Sequence, residues 1–163
     1  MKNLFIVRHG KSTWEYDSID DIDRPLKTRG IADGYWMAGS LRNQKLQPDL
    51  IVSSNACRAF HTATIFHRVL QMNTESFRIE PVLYLSGVDE ILNVIYGVGD
   101  KINSLMIFGH NPGFTEISNH LSTMSIDNVP TTGLVHLVFD TLKWTKIGRD
   151  VLVKESFDFP RKK

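Results

Sequence analysis

One cysteine, Cys57, stands alone in 163 residues. No disulfide can close within the chain, and a reducing compartment fits. Long apolar runs are missing too: none approaches the roughly 18 residues of a membrane-spanning helix. Met1-Lys2-Asn3 leads straight into a strand-like run without the hydrophobic region of a signal peptide, so the chain reads as cytoplasmic. Nor is there an excess of one charge. Lys and Arg total 19 against 18 Asp and Glu, a formal net charge of +1, which gives no broad basic field for nucleic acid. Any anion bound here must meet local charge. No repeat, low-complexity tract or linker divides the chain. With 42% hydrophobic and 23% charged residues, one domain over 1–163 with a sizeable core is expected. Pro160-Arg161-Lys162-Lys163 reads as a frayed basic tail.

What is present is an alternation of short β-rich runs with helical patterns. Strands are predicted over Leu4–Val7, Leu50–Ser53, Ile79–Tyr84, Leu105–Phe108, Leu134–Phe139 and Val151–Lys154. The first, second and fourth are nearly continuous apolar runs, as strands covered on both faces are, which places them centrally. Helical spacing runs through Ile31–Leu41, Ala56–Leu70, Ile91–Val98 and Phe114–Leu121. That order predicts an α/β fold with a mainly parallel sheet. The last two strands follow each other without a helix and are expected to pair antiparallel at a sheet edge.

Ligands of such sheets bind beyond the carboxyl ends of the strands. Arg8-His9-Gly10 follows the first strand there, and His110 in MIFGHNPGF follows the fourth, with Asn111 as helix cap and Pro112 as the expected first helical residue. Arg58 lies about one turn into the helix after the second strand. Two arginines and two histidines thus converge on one small volume, where they repel one another unless an anion joins them. Guanidinium forks match phosphate oxygens, and the amides near Gly10 and at the helix start after His110 add donors. An imidazole nitrogen is also a nucleophile, so one histidine can take the phosphoryl group while the other groups stabilise the equatorial oxygens. No metal-ligand spacing appears among the six histidines, and HExxH is absent.

Four blocks in order, LFIVRHGKS, DRPLKTRG, SSNACRAFHTA and FGHNPGF, resemble the histidine phosphatase superfamily, also called phosphoglycerate-mutase-like or RHG, and within it the short SixA-type phosphohistidine phosphatases. The resemblance implies a three-layer α/β/α sandwich and a phosphatase without metal or organic cofactor. It implies that His9 carries the phosphoryl group, with Arg8, Arg58 and His110 forming the phosphate pocket. Gly10 and Ser12 are further candidate substrate contacts.

Larger members carry insertions that cap the site, for which 163 residues leave little room, so an open pocket and a phosphorylated protein substrate are expected. Small-metabolite phosphomonoesterase and non-catalytic phosphate-binding module are the alternatives. Larger members also use an acidic residue before the third helix to protonate the leaving group. Asp89 and Glu90 are the candidates here, although Ser86-x-x-Asp89 resembles a capping box that would occupy Asp89. Asp23, Arg24 and Arg29 lie in a loop that either borders the pocket or is held by an Asp23–Arg24 pair. Tyr35, Trp36 and Met37 read as helix packing, and His61 and His67 as surface or packing residues.

Overall fold

The computed structural model describes residues 1–161. Its elements are β1 (Lys2–Arg8), α1 (Thr28–Asn43), β2 (Leu50–Ser53), α2 (Cys57–Val69), β3 (Phe77–Ile79), α3 (Val88–Tyr96), β4 (Ser104–Gly109), α4 (Gly113–Leu121), β5 (Leu134–Phe139) and β6 (Leu152–Asp158). Six strands form one sheet in the order β3-β2-β4-β1-β5-β6. The pairs β2–β3, β2–β4 and β1–β4 are parallel. The pairs β1–β5 and β5–β6 are antiparallel. Leu4 therefore sits between Leu105 on one side and Leu137 on the other.

Period-two alternation divides the strands between two cores. Leu4 and Ile6 of β1 pack with Leu105 and Ile107 against α3 and α4, through Ile91, Ile95, Phe114 and Ile117. Phe5 and Val7 pack with Met106 and Phe108 against α1 and α2, through Met37, Leu41, Ala63 and Phe66. Helices cover both faces, and the continuous apolar runs are the price of that double burial.

The expected strand at Ile79–Tyr84 is displaced. β3 occupies Phe77–Ile79, and Pro81–Leu83 form a 3-10 turn. Pro81 has no N–H for a ladder, so pairing stops before it. β6 extends to Asp158, beyond the predicted Lys154. α4 starts at Gly113 with Pro112 in the capping position, one residue later than predicted. Asn111 still serves that end, its Oδ1 accepting the Thr115 N–H at 3.2 Å. Among the described residues no helix is long and apolar enough to cross a membrane.

Candidate functional site

Parallel β1 and β4 end side by side, with Arg8 opposite Gly109, so His9 and His110 leave the sheet as neighbours. Their ring centroids are 5.1 Å apart. Together with Arg8, Ser12, Arg24, Arg58 and the more exposed Lys11, Trp14 and Leu85, they line a cleft of about 180 Å³. Arg58 reaches it as the second residue of α2, inside the first turn and not a full turn into the helix as expected.

The loop carrying His9 is held by close backbone packing. A Cβ at Gly30 would collide with the Lys11 carbonyl oxygen, so only glycine lets α1 approach the loop here. Lys27 N–H donates to that same oxygen at 2.8 Å. On the other side Gly10 N–H donates to Thr62 Oγ1 at 2.9 Å, and Thr62 donates to Arg58 O at 2.7 Å. One threonine thus ties the Arg8-His9-Gly10 turn to the helix that carries Arg58.

His9 Nδ1 lies 2.7 Å from Gly10 O. A carbonyl only accepts, so Nδ1 carries the proton and Nε2 keeps its lone pair. Nε2 has no protein partner among the described residues. Ser54 Oγ accepts the Ala56 N–H at 3.1 Å and lies 2.9 Å from His110 Nε2. The hydroxyl can donate to that ring nitrogen or accept from it, and His110 Nδ1 has no partner among the described residues.

Arg58 gives Nη1 and Nη2 to Asp21, at 2.7 Å to the carbonyl and 2.9 Å to Oδ2. Tyr84 donates to the same Oδ2 at 2.5 Å, and Arg24 Nη1 donates to Oδ1 at 3.0 Å. Burial works against the Asp21 charge, but hydrogen bonds from Tyr84, Arg24 and Arg58 outweigh it and hold the carboxyl far below the usual range. Asp21 is therefore ionised and has no proton to give. Arg8 bonds to Val129 O at 3.0 Å through Nη1. Among the described residues the buried Nε atoms of Arg8 and Arg58 and the buried Nδ1 of His110 have no partner.

Burial is the main force lowering His9 to about 4 and His110 to about 3, with nearby positive groups adding to it. His136, stacked on Phe5 with ring centroids 4.1 Å apart, is lowered by burial to about 4. All three are neutral in the fold at pH 7. Unfolding returns them to about 6.5, so between pH 6.5 and 4 the unfolded chain binds more protons. The stabilisation is full above pH 6.5 and is lost as pH falls toward 4, by up to about 2 kcal/mol per group at pH 5. Urea midpoints measured from pH 8 to 4.5 should decline below 6.5; a rise between 7 and 5 would show the histidines protonated in the fold.

The remaining expectations divide. Ser12 lines the cleft and accepts Arg24 Nη2 at 2.7 Å. Arg24 pairs with Asp21, not with Asp23, because the 3-10 turn Asp21–Asp23 presents the first carboxylate to it. Arg29 is exposed and pairs with Asp33 at 3.6 Å. Neither Asp89 nor Glu90 lines the cleft; both are exposed on α3. The cap there is Gly87, whose N–H donates to Glu90 Oε1 at 3.1 Å, so Glu90 and not Asp89 takes the capping role. Glu90 also lines a separate cavity of about 310 Å³ with Arg78 and Glu80. Among the described residues no cluster of three or more His, Cys, Asp or Glu could hold a metal ion.

The model of the histidine phosphatase superfamily (branch 1) matches residues 4–81. An uncharacterised protein of Mycobacterium tuberculosis is 31% identical over 119 residues, which span 73% of this chain and 72% of that relative. The chain belongs to the histidine phosphatase superfamily. An uncharacterised chloroplastic protein of Arabidopsis thaliana is 30% identical over 138 residues, 77% of this histidine phosphatase-family chain but 61% of the longer relative. The chain thus spans less than two thirds of that relative. A crystal structure of the provisionally assigned phosphohistidine phosphatase SixA from Agrobacterium tumefaciens superposes with a TM-score of 0.80 at 23% identity, covering 98% of this chain and 99% of that one. The two chains share the fold over 98% of this one.

Proposed function

We propose that the chain is a phosphatase that moves a phosphoryl group to His9 and then to water, with phosphohistidine on a protein as its substrate. One observation carries this reading: two buried guanidinium donors, Arg8 Nε and Arg58 Nε, and the buried ring nitrogen His110 Nδ1 have no partner among the described residues, and all three belong to side chains that line one cleft with His9. Buried donors without acceptors cost about 1–3 kcal/mol each, and a tetrahedral oxyanion supplies several acceptors at once. In the first step the His9 Nε2 lone pair forms the P–N bond while the bond to the leaving atom breaks and its electron pair departs with that atom. Gly10 O, accepting the Nδ1 proton, steadies the positive ring. Water then attacks phosphorus, the pair returns to Nε2, and its proton passes to the released phosphate and solvent.

The substrate class follows from what the cleft lacks. Among the described residues no carboxyl group lines it, and Asp21, which bonds to its Arg24 and Arg58, is held ionised. Alkoxide leaving groups need a proton delivered to them, whereas an imidazole protonated on its far nitrogen leaves as a neutral ring. The Agrobacterium protein of the same fold, itself provisionally assigned as a phosphohistidine phosphatase, supports this choice. A leaving-group series is the test. Rates on monoesters should fall steeply as leaving-group pKa rises, with phosphohistidine hydrolysed faster than any alkyl ester. Asp89→Asn and Glu90→Gln should change phosphohistidine turnover by less than about tenfold, the lower edge of general-acid effects. A flat series that turns steep in either variant would identify a working acid and a metabolite phosphomonoesterase.

A further inference from the structure

In-line transfer places the leaving group on the side of phosphorus away from His9 Nε2, toward the mouth of the cleft. His9, Ser12, Arg24, Arg58 and His110 are buried and form its floor. The exposed lining residues are Lys11, Trp14 and Leu85, so the mouth offers two apolar side chains. Trp14 remains 74% exposed although it lines the cleft.

It is nonetheless firmly placed. The Arg24 guanidinium lies against one face of its ring, 3.2 Å from the centroid. Arg24 in turn is 8% exposed and bonded through all three nitrogens, to Thr13 O at 3.0 Å, Asp21 Oδ1 at 3.0 Å and Ser12 Oγ at 2.7 Å. A cation locked beneath the indole fixes its plane and strengthens its hold. The other face accounts for the exposure. If Trp14 only shielded Arg24, nothing would require so large a free surface beside the phosphoryl site.

We propose that Trp14 is the shelf on which the aromatic ring of the leaving group stacks, and so determines specificity for ring-bearing substrates. The proposal rests on the phosphatase reading and narrows it: the scissile phosphorus is held by the floor, and the imidazole or aryl ring by the indole. Stacking is equally available in the ground and transition states, so it acts on KM more than on kcat.

The experiment compares 1-naphthyl phosphate with phosphoramidate, which carries no ring, in the parent, Trp14→Ala and Trp14→Phe. In Trp14→Ala the ratio of kcat/KM for naphthyl phosphate over phosphoramidate should fall about tenfold, through KM, and Trp14→Phe should restore most of it. An unchanged ratio, including an equal loss on both substrates, overturns the shelf. Calorimetric affinities for 1-naphthyl phosphate and inorganic phosphate separate this from the function itself. A parent that turns over neither substrate but prefers the naphthyl ester, in a manner lost in Trp14→Ala, sinks the phosphatase and keeps the shelf.

Discussion

His9→Ala should lose turnover by on the order of 10⁴-fold or more, the scale on which removing a covalent nucleophile is felt. Alanine cannot accept a phosphoryl group, and the other imidazole of the floor, His110, has its Nε2 engaged with Ser54 at 2.9 Å. The parent protein, quenched without acid during turnover, should carry one phosphoryl group on His9 that is labile to acid and stable to base. His9→Ala should carry none. Circular dichroism of the variant controls for folding, since the substitution also removes the contact to Gly10 O. A trapped group on Ser12 or Ser54, or a variant within tenfold of the parent, would refute the covalent role.

Arg8→Ala and Arg58→Ala should each lower kcat/KM by roughly 10²–10³-fold, as loss of one preorganised transition-state donor does. The two are not equivalent. Among the described residues the Arg8 side chain makes one hydrogen bond, to Val129 O, so its loss is felt mainly by the substrate. Arg58 also satisfies Asp21, and its removal leaves that carboxylate with Arg24 and Tyr84 alone. Arg58→Ala should therefore weaken stability as well, whereas Arg8→Ala should be near parental in urea. Arg58→Lys keeps the charge but not the planar fork, so it should recover only part of the activity. Inorganic phosphate should inhibit both alanine variants more weakly. Normal phosphate inhibition in either would place the anion elsewhere.

The legible parts of this molecule were those with a strong local signal. Five of the six strands and all four helices among the described residues follow from short β-rich apolar runs and helical spacing, and the central trio β1, β2 and β4 from their unbroken apolar runs. Arg8, His9, Arg58 and His110 could be brought together because each stands at a strand end or in the first turn of the following helix. β3 misled because it is an edge strand of three residues with little apolar pattern, followed by a proline that hides its end. Asp21 left no sign at all. It lies 37 positions before Arg58 and 63 before Tyr84, one of several aspartates in its loop, and only the folded chain distinguishes it. Ser54 and Thr62 stood inside a quoted block without an assigned task. Their roles are hydrogen bonds across elements, which no spacing along the chain records.

The sheet order also bears on how the protein is made. β1 precedes the other strands along the chain, yet its neighbours are β4 and β5, so Leu4 must wait for Leu105 and then for Leu137. At roughly 5–20 residues per second that interval is on the order of 10 s, during which an apolar β-prone strand is without its partners. Such a segment is the kind that chaperones hold and that nascent chains aggregate through. The pairing of His9 with His110 comes late for the same reason. His9 meets His110 only after the intervening β2 and β4 have been made.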